Sequence, residues 1–461
     1  MSPLRSALRA ELRATLPIAV PLAAANLAQM AIGLTNAIMV AHLGGAALSA
    51  AGLGGALYFT VAITSQGVLT AVAPLAARAI GARDHRAAGQ VAAAGLIVAA
   101  AAAVPIVALL SVIDRLLLII GYDPALAAEI GQYLSAIRWA APAFLAFGVL
   151  RALLAAAFRA RTVMIVLVLG IPANAALNWV LIFGHLGMPA LGIAGSGWAT
   201  AIIQSSMALG LSAVLLIAPL HTPIRISRRV MDQIGQILHL GLPIGGLIAL
   251  EAGVFVTTGI LAGLLGADAL GAHQLVINFA SLCFMVPLGI GQAATVRVGF
   301  ELGAGAPATA RRAAVVALLL GALFMGATAV LIWTFPLAIA DLYLDLDDPA
   351  NKGLIAIALR LLTIVALFQI VDGVQAIAAG ALRGYRDTAV PMAIAALGYW
   401  GIGFAGGWAL AFPLGLGAVG LWWGLGLGLA IVAVLLTVRL YLCAGSAVRG
   451  DTAGIRVIPQ A

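Results

Sequence analysis

Apolar runs of about twenty residues or more follow one another from end to end of the chain, broken only by short stretches carrying Arg, Asp, Gly or Pro. Each run is long enough to cross, as a helix, a hydrocarbon layer about 30 Å thick. The pattern predicts twelve helices, near 16–41, 48–77, 90–113, 131–157, 163–184 and 190–218, then 237–264, 269–299, 313–338, 353–382, 389–412 and 416–443. No segment between them is long enough for a separate soluble domain. The start imitates a secretory signal, with Arg5, Arg9 and Arg13 ahead of an apolar run and alanines near Ala24. That run continues to about Ala41, too long for a signal core, and reads as a retained first membrane helix.

Composition agrees: of 461 residues, 64% are hydrophobic and 9% charged, where a soluble domain carries roughly 25% charge. The formal net charge of +8 does not mark a nucleic-acid partner, because the basic residues sit in short interhelical loops instead of a stripe. Their placement sets orientation. Seventeen fall on one side: Arg5, Arg9, Arg13; Arg78, Arg83, Arg86; Arg159, Arg161; Arg225, Arg228, Arg229; Arg311, Arg312; Arg383, Arg386; Arg449, Arg456. Only Arg115 and Lys352 fall on the other. By the positive-inside rule both termini are cytoplasmic, in a multi-pass membrane protein. Cys283 and Cys443 are expected to be unpaired, apolar-tolerant thiols.

The two halves resemble each other. Gly67 to Ala82 aligns with Gly289 to Ala304, Leu191-Gly192 and Gly195 with Leu416-Gly417 and Gly420, and Leu16-Pro17 with Leu242-Pro243, at offsets of 222 to 226 residues. Six helices per half is an even number, so both halves enter the membrane from the same side. The expectation is an all-α membrane protein with two parallel six-helix lobes related by a pseudo-two-fold along the membrane normal, and a cavity between them. The lobes span 1–218 and 237–446, with a cytoplasmic linker at 219–236, a cytoplasmic tail at 447–461, and a monomeric chain surrounded by membrane lipid.

Fourteen of the sixteen acidic residues are assigned to loops or tails; Glu251 and Asp372 fall inside spans. An ionisable group at the bilayer centre costs about 2.5–3.5 kcal/mol on insertion scales and marks a functional site by default. Crowded carboxylates in low dielectric hold a proton or a sodium ion and release it when hydration changes. Glu251 and Asp372 are therefore the cation-coupling candidates. Asn278 and Tyr399 are neutral oxygen donors on neighbouring spans. In the first half the polar groups are neutral: Asn36, with Asn174 and Asn178 sharing a helix face at i, i+4. Each of these five also suits plain interhelical hydrogen bonding. Arg138 and Arg360, repeat-related, are explained by snorkelling. Trp179 and Trp400 are aromatic surfaces for a flat substrate or interfacial anchors.

Gly241 to Gly303, containing GLPIGGLIALEAGVFV and LGADALGAHQLVINFASLCFMVPLGIGQAATVRVGFELG, and Asp372 to Thr388, DGVQAIAAGALRGYRDT, resemble the multidrug and toxic compound extrusion (MATE) family in its bacterial NorM-like branch. LPIAVP, MVAHLGGAALSAAGLG and IPANAALNW in the first half fit as well, so the resemblance covers nearly the whole chain. It implies export of cationic, amphipathic compounds, drugs and toxic metabolites among them, in exchange for sodium ions or protons, by alternating access of two six-helix lobes. The family's second-lobe acids fall on Glu251 and Asp372, where a sodium ion would bind, and its first-lobe asparagines on Asn174 and Asn178. Its first-helix aspartate falls on Asn36, so this chain has lost that acid.

Competing classes are a lipid-linked saccharide flippase, which should line its cavity with Arg or Lys instead of acids, and an exporter of one endogenous metabolite. No zinc pair, nucleophile–base arrangement or phosphate loop points to an enzyme, and no cofactor beyond the coupling ion is expected.

Overall fold

The computed structural model describes residues 3–217 and 228–450, with residues 3–5 and 228 as backbone only. Residues 219–227 of the expected linker, with Arg225, and 451–461 of the expected tail, with Arg456, lie outside the described residues. Every regular element among the described residues is helical. The first half holds α1 (Pro3–Ala41), α2 (Gly45–Leu69), α3 (Val72–Gly81), α4 (His85–Leu110), α5 (Ile113–Ile120), α6 (Pro124–Ile137), α7 (Ala140–Ala156), α8 (Ala160–Phe183) and α9 (Gly192–Ile217). The second holds α10 (Arg228–Leu264), α11 (Ala267–Gly303), α12 (Pro307–Thr334), α13 (Pro336–Asp341), α14 (Lys352–Gly384), α15 (Ala389–Ala395), α16 (Ala405–Ala411) and α17 (Gly417–Arg449). Eleven of the described helical segments are long and apolar enough to cross a membrane; α6 and α7, bent by 45°, make a twelfth when taken together.

The breaks have local causes. Pro142 has no N–H to give the Arg138 carbonyl, one turn back, and the chain bends between α6 and α7 at Arg138 and Trp139. Pro74 withholds its donor from Thr70 in the same way, and the Thr70 hydroxyl turns back to the Gly67 carbonyl at 2.6 Å; α2 ends and α3 begins there. The expected helix at 389–412 is interrupted by a π-helical segment, Ala396–Phe404, between α15 and α16. Its glycines explain how it fits: a Cβ on Gly398 would strike the Val432 side chain, and Gly403 lies against the Gly428 backbone of α17.

By internal packing the chain forms two compact units, Ala24–Gly245 and Met1–Ala23 with Gly246–Ala461. The sequence pattern places the division in the 219–236 segment; the packing places it inside α1 and α10, so each of these helices serves both units. In the unit 24–245, Ile32 of α1, Phe147 and Leu154 of α7, Leu167 of α8 and Met207 of α9 form a buried apolar core. In the other, α11 and α14 meet backbone to backbone: a Cβ on Gly380 would strike Gly291, and the Thr295 hydroxyl sits 2.7 Å from the Gly380 carbonyl oxygen. Close approach through small residues is what drives helix association where lipid removes the hydrophobic gain.

Candidate functional site

In the second unit, α10 carries Glu251, α14 carries Asp372 and the π-helical segment carries Tyr399. Asp372 is 6% exposed and Tyr399 fully buried, while Glu251 is half-buried. The indole N–H of Trp400 donates to the Leu250 carbonyl at 3.1 Å, which fastens the π-helical segment to α10 one residue before Glu251. π-Helical turns are rare and concentrate at functional sites, and Tyr399 lies on this one. Asp372 Oδ1 and the Tyr399 hydroxyl have no hydrogen-bond partner among the described residues. Glu251 and Asp372 interact electrostatically with each other and with Tyr399, so two acids 121 positions apart act on one another inside one unit.

A third charge joins them. Arg383, counted among the loop residues in the sequence pattern, is helical, and its guanidinium interacts with both Glu251 and Tyr399. It stands eleven residues beyond Asp372 on α14, about 16 Å of rise. The site thus gathers two carboxyl groups, with one guanidinium acting on Glu251 and Tyr399.

In the unit 24–245, Asn36 of α1, Asn174 and Asn178 of α8 and Thr200 of α9 form a directed hydrogen-bond chain. The amide N–H groups of Asn174 and Asn178 both donate to Asn36 Oδ1, at 2.7 and 2.8 Å. Asn36 then donates to Thr200 Oγ1 at 3.0 Å, and Thr200 donates to the Ser196 carbonyl at 3.0 Å. Asn174 and Asn178 are fully buried, and their side-chain oxygens have no partner among the described residues. The site offers neutral oxygens and no acid. Asn278, by contrast, is exposed on α11. Trp179 is stacked on His185 with ring centroids 3.8 Å apart.

Two stretches of the chain, residues 21–180 and 243–409, match the MatE family model. The chain belongs to the MatE family. Among its relatives, "Probable multidrug resistance protein NorM" of Burkholderia mallei is 44% identical over 440 residues, 94% of this chain and 93% of that one. "Multidrug resistance protein NorM" of Burkholderia vietnamiensis is 44% identical over 427 residues, 91% of each chain. The crystal structure of the eukaryotic MATE transporter AtDTX14 superposes with a TM-score of 0.86 at 21% identity, over 97% of this chain and 100% of that one; this likeness concerns the fold.

This MatE protein also buries charges that the sequence pattern did not single out. Glu11, assigned to the tail, lies on α1 at 5% exposure and accepts from Arg297 of α11. Arg297 reaches Glu301 as well, at 2.8 Å. Arg151 of α7 donates to Asn26 of α1. A signal was available: Arg151 and Arg297 both stand inside apolar runs, as Arg138 and Arg360 do. Cys283 and Cys443 are both free thiols, as expected.

Proposed function

We propose that this MatE transporter is a cation-coupled antiporter that exports cationic or amphipathic drugs and toxic metabolites from the cytoplasm across the bacterial inner membrane. Its termini are cytoplasmic and the chain works as a monomer. One observation carries the reading: Glu251 interacts with Asp372, Tyr399 and Arg383 inside the helical unit, on a chain 44% identical to proteins named for multidrug resistance.

Charge explains the exchange. Two acids crowded together in low dielectric hold a monovalent cation between them, and the unpartnered oxygens of Asp372 and Tyr399 suit either a sodium ion or a proton. A cationic drug drawn to the same charge and a coupling ion already on it exclude one another. Each therefore favours release of the other, and alternate exposure of the site to the two membrane faces turns this competition into antiport. Asn36, Asn174, Asn178 and Asn278 offer amide groups for cargo and bring no acid to the cycle. The loss of the acid at Asn36 leaves Glu251 and Asp372 as the coupling pair.

The test is ethidium transport by purified protein in proteoliposomes, with a sodium gradient and a pH gradient imposed separately. One of the two gradients drives ethidium against its concentration, and collapsing that gradient stops it. Transport indifferent to both gradients would overturn the reading.

A further inference from the structure

We propose that Gln369 of α14 is a positioning residue for Asp372: its side-chain amide donates to the carboxylate once the coupling cation has left. The inference rests on the reading of Glu251 and Asp372 as the coupling acids. Gln369 stands one turn before Asp372, and side chains three residues apart on a helix are neighbours, about 5–6 Å between Cβ atoms. It is fully buried, and Asp372 is 6% exposed. Neither end of its amide, Nε2 or Oε1, has a hydrogen-bond partner among the described residues, and the same holds for Asp372 Oδ1. The Cys283 thiol of α11 lies beside the amide, but a thiol is a weak hydrogen-bonding group and makes no bond of normal geometry with it. A donor without an acceptor and an acceptor without a donor thus stand one turn apart on one helix.

The surroundings make the carboxylate depend on the chain for that donor. Phe255, one turn beyond Glu251, and Phe368, one turn before Asp372, meet edge to face with centroids 6.1 Å apart. Phe368 meets Trp422 of α17 in the same manner at 5.4 Å. Gly373, next to Asp372, lies against Met325 of α12 and Pro287 of α11. A carboxylate stripped of its cation among apolar side chains is costly. The Arg383 guanidinium acts on Glu251 and Tyr399, while Glu251 brings Asp372 a second like charge. A hydrogen bond to an ionised acceptor is roughly twice as strong as one between neutral groups. The Gln369 amide therefore favours the cation-free carboxylate over the loaded one and lowers the cost of release. Without it the acid holds its cation more tightly and exchanges it more slowly.

Ethidium transport in proteoliposomes over a series of concentrations of the driving ion, sodium or proton as the two-gradient assay identifies it, tests the proposal. Infrared difference spectra of ion-loaded minus ion-free protein accompany it. Gln369→Met removes the amide at nearly constant volume. It raises the apparent affinity for the driving ion about tenfold and lowers maximal turnover about tenfold, the loss of one hydrogen bond to a charged group. Its thermal midpoint stays level or rises, because an unpartnered buried amide gives way to an apolar group; a purely structural glutamine would lower it. In the parent, ion loading changes the hydrogen bonding of a glutamine side chain, seen as a difference band that Gln369→Met lacks. Gln369→Leu replaces the methionine variant if that one fails to fold. Gln204→Met, the same change at a buried glutamine of α9 in the other unit, alters neither affinity nor turnover. Weaker ion binding in Gln369→Met would overturn the proposal, by making Gln369 a ligand of the cation. So would unchanged kinetics, no glutamine band in the parent, or an equal effect in the Gln204 control. An Asp372→Asn variant that responds to the ion gradient like the parent would instead sink the coupling reading on which the inference rests.

Discussion

Arg297 directs two N–H groups, Nε and Nη2, at a single carboxylate oxygen of Glu11, at 2.9 and 2.8 Å, across 286 residues of sequence. Both side chains are buried, so the pair fastens the start of α1 to α11 within the second unit. Removing the cation leaves Glu11 and Glu301 without it, and breaking a buried pair from one side costs about 3–5 kcal/mol. Arg297→Met is expected to lose that much, read as a lowered thermal unfolding midpoint in detergent. Adding Glu11→Gln and Glu301→Gln to Arg297→Met recovers most of the loss. A single Arg297→Met variant that melts like the parent would remove the structural role assigned to the pair.

Coupling is expected to reside with the acids. Glu251→Gln and Asp372→Asn each reduce ion-driven ethidium transport by about tenfold or more, while the protein remains folded and inserted; a 1.4 kcal/mol change per decade is small beside the interaction of two charges in low dielectric. Asn36→Ala leaves the Asn174 amide without an acceptor, at about 1–3 kcal/mol of stability, and transports better than either acid variant. If Asn36→Ala alone abolished transport and both acid variants retained it, coupling would belong to the other unit.

Asn36→Asp offers the converse experiment. Two amide donors already point at Oδ1 of this residue, so the introduced carboxylate arrives in a site that hydrogen-bonds it. The variant folds, and its transport acquires a pH dependence in addition to that of the parent under the same sodium gradient. Identical pH profiles for the two proteins would show that the asparagine site takes no part in ion binding.

The Arg383 guanidinium acts on Glu251 and Tyr399, and its removal takes one positive charge away from the acid site. Arg383→Gln is expected to bind ethidium more tightly, by about tenfold, and to turn over more slowly, because the more negative site holds its cation on both faces of the membrane. Binding is read by fluorescence polarisation, turnover in proteoliposomes. Weaker binding in the variant would mean that Arg383 orients Glu251 instead of balancing it.

Orientation is testable from single exposed positions. Ile119 on α5 and Leu342 after α13 are 80% and 76% exposed. In a background lacking Cys283 and Cys443, Ile119→Cys and Leu342→Cys should react with a membrane-impermeant maleimide from outside intact cells. Labelling of both only after the membrane is opened would reverse the assigned topology.

Hydrophobic run length and the placement of arginine in the loops were enough to predict a helical membrane protein of about twelve spans, because a bilayer imposes one length and one backbone solution on every crossing. The isolated acids were legible for the same reason: nothing else in an apolar run explains Glu251 or Asp372. Asn174 and Asn178 were legible as a pair because helical spacing alone puts them on one face. Their convergence on Asn36 was not, since no periodicity links α1 to α8. The tertiary structure alone brought Arg383 back from the loop to Glu251, because the reach of a long side chain depends on where the neighbouring helix stands. It joined Glu11 to Arg297, whose partners lie far apart in the sequence. It also opened α15 and α16 into a π-helical turn, a consequence of how closely Gly398 and Gly403 can approach Gly428 once α17 is packed against them. Local pattern determines which segments cross the membrane; the distances between them, and so the charge of the site, exist only after the helices have packed.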